Sequence, residues 1–489
     1  MGKKNFLLIG AIIVSTHGNS FGAEKIVQPK VKIIHQMLDE CEKNTQLVKK
    51  TDASAPKEKE TLPATTAAVD KKSTAEEKTF WERVNIHGYY QNRNYFDRKK
   101  DTTTEHAYEL RQDLRLESSQ WFSERFSSFL SLDGQYDLVH SSAKHTSDEE
   151  KRFKLWECYL NYATSNLNLR LGRQVIRWGK SDELNPTDNF TPEDWTEYLN
   201  LTRAERKLPV WMTKLDYAFE PFNVEVIWLP FFEASRIPET GSDWEPYLLR
   251  QYHLNEIPVD TPSRPAQNLH SQVGALKVSK TTQDYDLSLS YAYHYDELPS
   301  LHRDLVSIGS PPFFAPNYEV SQRYHREHTI GSDFETLLGK AGVRGEFAYT
   351  WGDRFVSDSP ERTDGTVKKD AFVGIVGGDY TFKNRVYVNV QYYMQYIPDH
   401  EAGMTSRRYE DSLIYKVSRK FIHDTLLLEA TGRLYLYNLD RYWELKCEYA
   451  LTDALTMAVG YDNFFGPPDT TFGQYNKNDQ FFVKAKYSF

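Results

Sequence analysis

Charged side chains at every second position are the most numerous candidates for chemistry in this chain. The clearest run, over residues 109–117, places alternating acidic and basic residues on one face of a strand. Such a face either pairs its charges with neighbouring strands or forms a charged constriction that selects a solute. Acidic and basic residues nearly balance on the predicted faces, so the sequence does not indicate the sign of that solute. The predicted pore-lining residues are Glu109, Arg111, Asp113, Arg115, Glu117, Arg170, Arg433 and Lys446.

A second group of candidates lies in a loop of about thirty residues, 178–210. Loops of this length without a function are uncommon. Thr191, followed by Pro192 and two acidic residues, has the sequence of a helix start and predicts a short helix over residues 192–206. Folded inward, this loop would narrow a pore, and folded outward it would cap the rim; the sequence leaves both open. The candidate constriction residues are Asn185, Thr191, Trp195, Tyr198 and Arg203.

Catalytic and cofactor sites are not indicated. His87, His294 and His328 lie in strand-like segments, but no spacing pairs them with a nucleophile as covalent catalysis requires. His-rich metal clusters and phosphate-binding Gly loops are absent from the sequence, and its 3 cysteines are far apart. The net charge of −9 argues against nucleic acid as a partner. We therefore predict no enzyme, no cofactor and no metal.

Alternation of period two dominates the chain from Trp81 onward. In residues 386–396, for example, Val386, Val388 and Val390 alternate with the residues of a second face. Segments of this kind run for about ten residues or more, which is the length that a tilted strand needs to cross a bilayer. Strands of soluble sandwiches are usually about five or six residues long. The pattern predicts an all-β, transmembrane antiparallel β-barrel of about eighteen strands over residues 81–489.

The connections between the predicted strands alternate between short and long. Short turns on one side and long loops on the other are typical of outer-membrane barrels, and an even strand number returns both termini to the periplasm. One outward connection, residues 438–440, is short and breaks the rule. Sixteen strands are the alternative, because the segments 211–219 and 224–229 are weakly patterned.

The end of the chain carries a strong local signal. Phe489 is preceded by Tyr487 and by apolar or aromatic residues at every second position back to Phe481. This ending resembles the closing strand of bacterial outer-membrane barrels, which implies recognition by the barrel-assembly machinery and insertion into the outer-membrane bilayer.

The residues before the barrel divide into three parts. Residues 1–22 have the basic start, short apolar run and small residues of a cleavable signal peptide. Residues 23–50 contain apolar residues at three- and four-residue spacing, which predicts one short amphipathic helix. Residues 51–80 are of low complexity and predict a linker. Residues 23–80 would form a periplasmic tail. Its helix has three interpretations: a marginally stable helix at the root of the tail, a contact site for a periplasmic partner, or a site of self-association.

A set of motifs around the long loop has a known counterpart. They are Leu169-Arg170-Leu171-Gly172-Arg173-Gln174, Trp178-Gly179-Lys180, Asn185-Pro186, Leu208-Pro209-Val210-Trp211-Met212, Trp228-Leu229-Pro230 and Arg236-Ile237-Pro238. Together they resemble a Gram-negative outer-membrane barrel family of unknown function that is distantly similar to the alginate-export porins. The match covers about seventy residues. The family-motif residues are Gly172, Arg173, Trp178, Gly179, Pro186, Pro209, Trp211 and Pro230.

The resemblance implies a channel without a settled substrate, and no alginate-binding residue carries over. Two functions therefore remain. The first is an outer-membrane channel, of the porin or export type, that passes hydrophilic solutes or polymers through a charged lumen. The second is a barrel scaffold that presents its loops or its tail to protein partners. Conductance of the purified protein distinguishes them, since a plugged scaffold carries little steady current.

Overall fold

A computed structural model describes residues 85–97, 107–138, 151–308 and 316–489. The predictions for residues 1–22, 23–50 and 51–80 lie outside these ranges. The first nine strands are β1 Asn85–Asp97, β2 Ala107–Trp121, β3 Phe126–Asp137, β4 Lys151–Ala163, β5 Leu167–Gln174, β6 Val210–Phe219, β7 Phe222–Leu229, β8 Val273–Thr281 and β9 Tyr285–Tyr295. A separate hairpin follows, made of β10 Ser300–Ile308 and β11 Pro316–Arg323. The remaining strands are β12 Arg326–Leu338, β13 Ala341–Val356, β14 Thr366–Thr381, β15 Val386–Tyr396, β16 Tyr409–Phe421, β17 Leu426–Tyr435, β18 Arg441–Ala450, β19 Leu455–Phe465 and β20 Gln480–Ser488.

Eighteen strands of the described ranges form one closed antiparallel barrel, from which only the β10–β11 hairpin stands apart. Each strand pairs with the next one in the ring, and β20 pairs with β1 to form the closing seam. The predicted eighteen-stranded barrel is confirmed. The sixteen-stranded alternative is wrong, because β6 and β7 each pair with both neighbours despite their weak patterning.

The connections divide the barrel into a short-turn end and a long-loop end. Short turns join β2 to β3 and β4 to β5, and each later connection at that end is equally brief. At the long-loop end, the largest connections span residues 175–209 and 230–272. The link from β17 to β18, residues 436–440, is the short exception that the sequence predicts.

Helical structure is sparse in the described part of the chain. It comprises α1 Arg203–Arg206, α2 Tyr247–Leu254 and two 3-10 turns at Leu269–Ser271 and Gly473–Tyr475. Among the described residues, no helix combines the length and the apolar character needed to cross a membrane.

The two faces of the barrel wall reverse the usual relation between polarity and burial. On β1, the apolar side chains of Tyr90 and Phe96 are exposed, whereas Gln91 and Arg93 are buried. Lipid accounts for the apolar outer face, and the contents of the lumen account for the buried polar inner face.

The closing seam includes the last residue of the chain. The Gly88 amide donates to the Phe489 carbonyl oxygen at 2.9 Å, and the Phe489 amide donates back to Gly88 at 3.0 Å. The terminal Phe therefore extends the pairing of β20 with β1. Its role as an assembly signal stays a prediction.

One face of β18 is assigned to lipid, and we predict that a charged residue placed on that face destabilises the barrel strongly. Leu445 lies in the middle of the strand and is 50 % exposed on the outer face. Leu445→Arg should lower the stability of the inserted barrel by about 2–4 kcal/mol, because it places a cation near the bilayer midplane. Heat-modifiable mobility on gels measures the loss. Thr431→Arg, which extends into the lumen, is the matched control, and equal losses from both variants would overturn the assignment.

Candidate functional site

The connection between β5 and β6, residues 175–209, crosses the lumen (the inner loop). On one side, the Glu197 carboxylate pairs with the Arg111 guanidinium of β2. On the other side, the Asn185 amide donates to the Glu346 carboxylate of β13 at 2.8 Å. Strand β13 is the ninth strand from β2 in a ring of eighteen, so these anchors lie on opposite walls. The inward arrangement, which the sequence left open, is the one that the structure has.

The anchor on β13 is a buried carboxylate. Glu346 is 0 % exposed, and Thr187 donates to it from its amide at 2.9 Å and from its hydroxyl at 2.8 Å. The Lys180 amide donates a further bond at 3.1 Å. Gly179 adopts φ +95°, and a Cβ there would come within 2.3 Å of the Glu346 carboxylate, so this close approach requires glycine.

The anchor on β1 and β2 is a network of buried charges. The Arg93 guanidinium lies 3.6 Å from the Glu197 carboxylate and 3.0 Å from that of Asp113. The Asn200 amide donates to the Glu109 carboxylate at 3.3 Å. Two predicted pore-lining residues, Glu109 and Arg111, therefore contact the inner loop, and a third, Asp113, pairs with Arg93 and Arg111 beside it.

The inner loop also rests on the closing seam. The Tyr95 hydroxyl of β1 donates to the Asn200 carbonyl oxygen at 2.8 Å. The Gln480 amide of β20 donates to the Asn200 side-chain oxygen at 2.5 Å. One loop residue thus contacts both strands that close the ring.

The predicted helix over residues 192–206 is wrong. Glu193 forms an antiparallel bridge with Lys207, and the Asp194 amide donates to the Arg206 carbonyl oxygen at 2.8 Å. Residues 194–206 form a self-closed projection (the finger), whose only helix is the four-residue α1. The Thr191 hydroxyl donates to the Ile176 carbonyl oxygen at 2.7 Å instead of capping a helix. The true capping box is Thr202 with Glu205.

Buried ion pairs stiffen the base of the finger. Lys207 is 2 % exposed, and its ammonium lies 3.0 Å from Asp188 and 3.1 Å from Glu193. Burial alone would lower the pKa of Lys207, but these carboxylates outweigh it and raise that pKa. For Asp194, burial alone would raise the pKa, but the nearby Arg236 and Arg152 lower it to about 2. Removing one partner of such a pair leaves an uncompensated buried charge.

The other candidate constriction residues lie within the finger. Arg203 lies 3.4 Å from Asp188, so its charge is paired. Trp195 stacks against the Arg206 guanidinium at 4.6 Å. Tyr198, which adopts φ +47°, packs into an aromatic cluster with Trp244, Phe464, Phe472, Tyr435 and Tyr475.

A cavity of about 1000 Å³ lies between the inner loop and the wall formed by β15 to β18 and β20. Aromatic and aliphatic side chains of the loops line part of it, and ionisable side chains line the rest. The seven basic side chains lining it within the described ranges are Arg177, Arg203, Arg206, Lys416, Arg433, Lys446 and Lys484. The four acidic ones are Asp182, Glu183, Glu429 and Glu444. The lining therefore carries an excess of positive charge.

The charged side chains on the barrel side of this cavity form its cationic wall, which consists of Lys416, Glu429, Arg433, Glu444, Lys446 and Lys484. The Glu429 carboxylate lies 2.9 Å from Lys416 and 2.8 Å from Lys446, so two lysines share one carboxylate. Arg433 packs over the Tyr393 ring, and Lys484 packs over the Phe482 ring. Neither Arg433 nor Lys484 forms an ion pair with any residue that the structure describes.

Three predicted pore-lining residues lie away from the cavity. Arg115 pairs with Asp133 at 2.9 Å, and Glu117 lies 3.5 Å from the His87 ring. Arg170 packs over the Tyr159 ring. Of the eight predicted pore-lining residues, only Arg433 and Lys446 line the cavity.

The family-motif residues surround the root of the inner loop. Trp178 is buried, and its indole donates to the Glu225 carboxylate of β7 at 2.6 Å. Arg173 lies 3.2 Å from Glu233. The apolar core at this root comprises Ile176, Trp178, Phe190, Val210, Met212, Ile227, Leu229, Val273, Ala275 and Ala292. Pro186 lies within the inner loop and Pro209 at its end, while Trp211 is on β6 and Pro230 follows β7.

Gly172 lies within regular strand pairing and forms no bulge. The pairing of β5 with β4 and with β6 passes through Gly172 without a shift. The residue has φ +141°, and a Cβ there would lie 2.6 Å from the Tyr159 Cα atom. Close approach of the backbones explains this glycine.

Three solved structures are similar to this chain. Acinetobacter baumannii OccAB1 has 11 % identity and a TM-score of 0.50, covering 86 % of this chain and 99 % of its own. Pseudomonas aeruginosa OccK9 (OpdG) has 12 % identity and a TM-score of 0.47, covering 84 % and 99 %. The outer membrane channel DcaP of Acinetobacter baumannii has 12 % identity and a TM-score of 0.39, covering 83 % and 97 %. At such identities, the OccAB1 match shows the fold alone.

The sequence comparisons give a family without an activity. No curated protein matches the chain. The family model described as "Protein of unknown function (DUF1302)" matches residues 61–489. The predicted family of unknown function is supported, and nothing in these comparisons links the chain to alginate-export porins.

Proposed function

The chain belongs to the DUF1302 family, and we propose that it is an outer-membrane channel that passes small hydrophilic solutes and favours anions. The observation that carries this proposal is the cavity of about 1000 Å³ between the inner loop and the cationic wall. The inner loop crosses the lumen, and this space beside it is the path that we assign to the solute.

The size of the barrel supports a water-filled path. Barrels of about 16–18 strands leave an aqueous channel unless a segment fills them. Here the inner loop fills part of the lumen, since it contacts opposite walls through Glu197 and Asn185. A narrowed lumen of this kind selects solutes by size as well as by charge.

The charges of the cavity support a preference for anions. Arg433 and Lys484 extend into it without ion pairs inside the described ranges, and Lys416 and Lys446 share the single carboxylate of Glu429. A confined excess of fixed positive charge raises the local concentration of anions. The same excess of positive charge attracts solutes that carry carboxylate, sulfate or phosphate groups, and it does not distinguish among these groups.

We infer the orientation from the difference between the two ends of the barrel. Both the β1 start and the β20 end lie at the short-turn end. In outer-membrane barrels that end faces the periplasm. We place the long-loop end, and the entrance to the cavity, at the cell surface.

Reconstitution of the purified chain in a planar bilayer tests the proposal. We expect discrete current steps and, under a salt gradient at low ionic strength, a reversal potential of the sign for anion preference. Absence of steady current from barrels that keep heat-modifiable mobility would overturn the channel and favour the scaffold. Steps with a cation-selective reversal potential would overturn the preference for anions.

A further inference from the structure

Three carboxylates meet at the long-loop end, apart from the proposed anion path. One carboxylate oxygen from each of Asp296, Glu327 and Asp353 lies within 4.8 Å of those of the other two. Glu327 and Asp353 lie on the paired strands β12 and β13, and Asp296 lies just after β9, which is the other neighbour of β12 in the ring. Three like charges at this separation repel one another strongly unless a cation or protons neutralise them.

The backbone brings these residues together from distant positions in the sequence. Asp296 directly follows β9, and Glu327 lies opposite His294 in the pairing of β12 with β9. On β13, the register shifts between Thr350 and Asp353, around Gly352 with φ +89°. The shift moves Asp353 out of the regular alternation of its strand and toward the other two carboxylates.

The central carboxylate has no partner for its buried oxygen. Glu327 is 5 % exposed, and its Oε1 atom has no hydrogen-bond donor among the described residues. No lysine or arginine of the described ranges forms an ion pair with any of the three carboxylates. Leaving a buried carboxylate oxygen without a partner is costly, so the orphaned atom indicates a ligand.

We propose that Asp296, Glu327 and Asp353 bind a divalent cation, and that Ca²⁺ is the cation they suit best. All three donors are oxygens, which hard cations prefer. Ca²⁺ accepts about six to eight oxygen ligands in flexible geometry, whereas Mg²⁺ demands near-ideal octahedral geometry. A second cavity, of about 260 Å³, is lined by Asp296 and Glu327 and leaves room for the water ligands that complete the shell.

The bound cation would join three strands at the rim. β9 and β12 carry the β10–β11 hairpin between them, so the ion would fix the base of that hairpin to β13. Extracellular calcium sites typically bind with dissociation constants of about 10⁻⁴–10⁻³ M. None of the three carboxylates lines the larger cavity, although the two cavities share lining residues of the inner loop, such as Asn185 and Trp195.

Calorimetric titration of the purified, chelator-treated full-length barrel with CaCl₂ tests the site. We expect one Ca²⁺ per chain, and a thermal unfolding midpoint that rises with CaCl₂. Glu327→Gln and Asp353→Asn should each weaken binding by about tenfold or more, since each removes a charged ligand. Glu361→Gln, on an exposed loop carboxylate, is the control and should bind as the unmodified chain does.

The variants remain informative even if binding is weak. Because they relieve repulsion between carboxylates, both should fold with normal heat-modifiable mobility. No binding to the unmodified barrel at 10 mM CaCl₂, about tenfold above the weak end of extracellular sites, would overturn the proposal in favour of shared protons. Equal affinity in the unmodified chain and in Glu327→Gln would overturn it as well.

Discussion

Replacing residues 195–205 by a two-residue Asn-Gly turn should raise the single-channel conductance severalfold and admit larger solutes. These residues include Glu197 and Asn200, which hold the finger against β1, β2 and β20. Without residues 195–205, the part of the inner loop that crosses the lumen is absent. The cavity then joins the space that this part of the loop occupied. Single-channel recording and liposome swelling with solutes of graded size measure the change.

The shortened loop is compatible with the remaining structure. Glu193 and Lys207 already pair as an antiparallel bridge, and Asp194 donates to Arg206 just beyond it. A two-residue turn is the standard connection between two antiparallel segments. The buried Lys207, Asp188 and Glu193 stay in place, so the base of the loop keeps its ion pairs.

A matched variant tests the anchoring of the inner loop while leaving the loop itself in place. Glu346→Gln keeps every residue of the loop but replaces an acceptor that receives bonds from Asn185 and Thr187. We expect noisier current around a nearly unchanged mean conductance. If the shortened barrel shows normal heat-modifiable mobility but unaltered conductance, the finger does not lie in the conducting path.

Neutralising Arg433 and Lys484 together should shift the reversal potential toward cations, most strongly at low salt. Both line the cavity, and neither is paired with a carboxylate of the described residues. Screening lengths fall from about 30 Å at 0.01 M to about 3 Å at 1 M salt, so the shift should nearly vanish at the higher concentration. Bi-ionic and gradient reversal potentials of Arg433→Gln with Lys484→Gln provide the measurement.

Two further variants test the origin of that shift. Lys486→Gln removes a cation from the same strand but outside the cavity lining, and it should change selectivity little. Glu429→Gln releases two lysines from their shared carboxylate and should increase the preference for anions. An unchanged reversal potential in the Arg433 and Lys484 double variant at 0.01 M salt would place the selective step elsewhere.

The barrel could be predicted from the sequence because lipid imposes a rule on every strand. Side chains such as Leu445 must be apolar at every second position along the membrane, and this period is visible without knowledge of the neighbours. The weak patterning of β6 and β7 is what left sixteen strands as an alternative. Their inner faces pack against the apolar root of the inner loop, which hides the alternation.

The course of the inner loop could not be predicted, because distant residues determine it. The helix signal at Thr191 and Pro192 is local, whereas the bonds that override it come from Ile176 and Lys207. Glu197 resembles any other loop acid in the sequence, and only the fold brings it to Arg93 and Arg111. The Thr202 and Glu205 capping box was visible in the sequence, and it marks the helix that does form.

The sign of the charge in the lumen could not be predicted from the sequence for a related reason. Arg111 and Arg115 are both predicted to line the pore, yet the structure pairs them with Glu197 and Asp133. Pairing depends on which strands and loops become neighbours. The sign of the net charge in the cavity therefore depends on which basic side chains are paired, and only the structure shows that pairing.

The contact of Asn200 with both strands of the closing seam has a consequence for the order of assembly. β1 and β20 come from opposite ends of the barrel sequence, so their pairing closes the ring, and β20 is the later of the two in the chain. The finger precedes it, and once seated on Tyr95 of β1 it offers Gln480 a fixed hydrogen-bonding partner. The inner loop would then add a side-chain check on the register of the final strand, beside the backbone pairing of β20 with β1 that closes the ring.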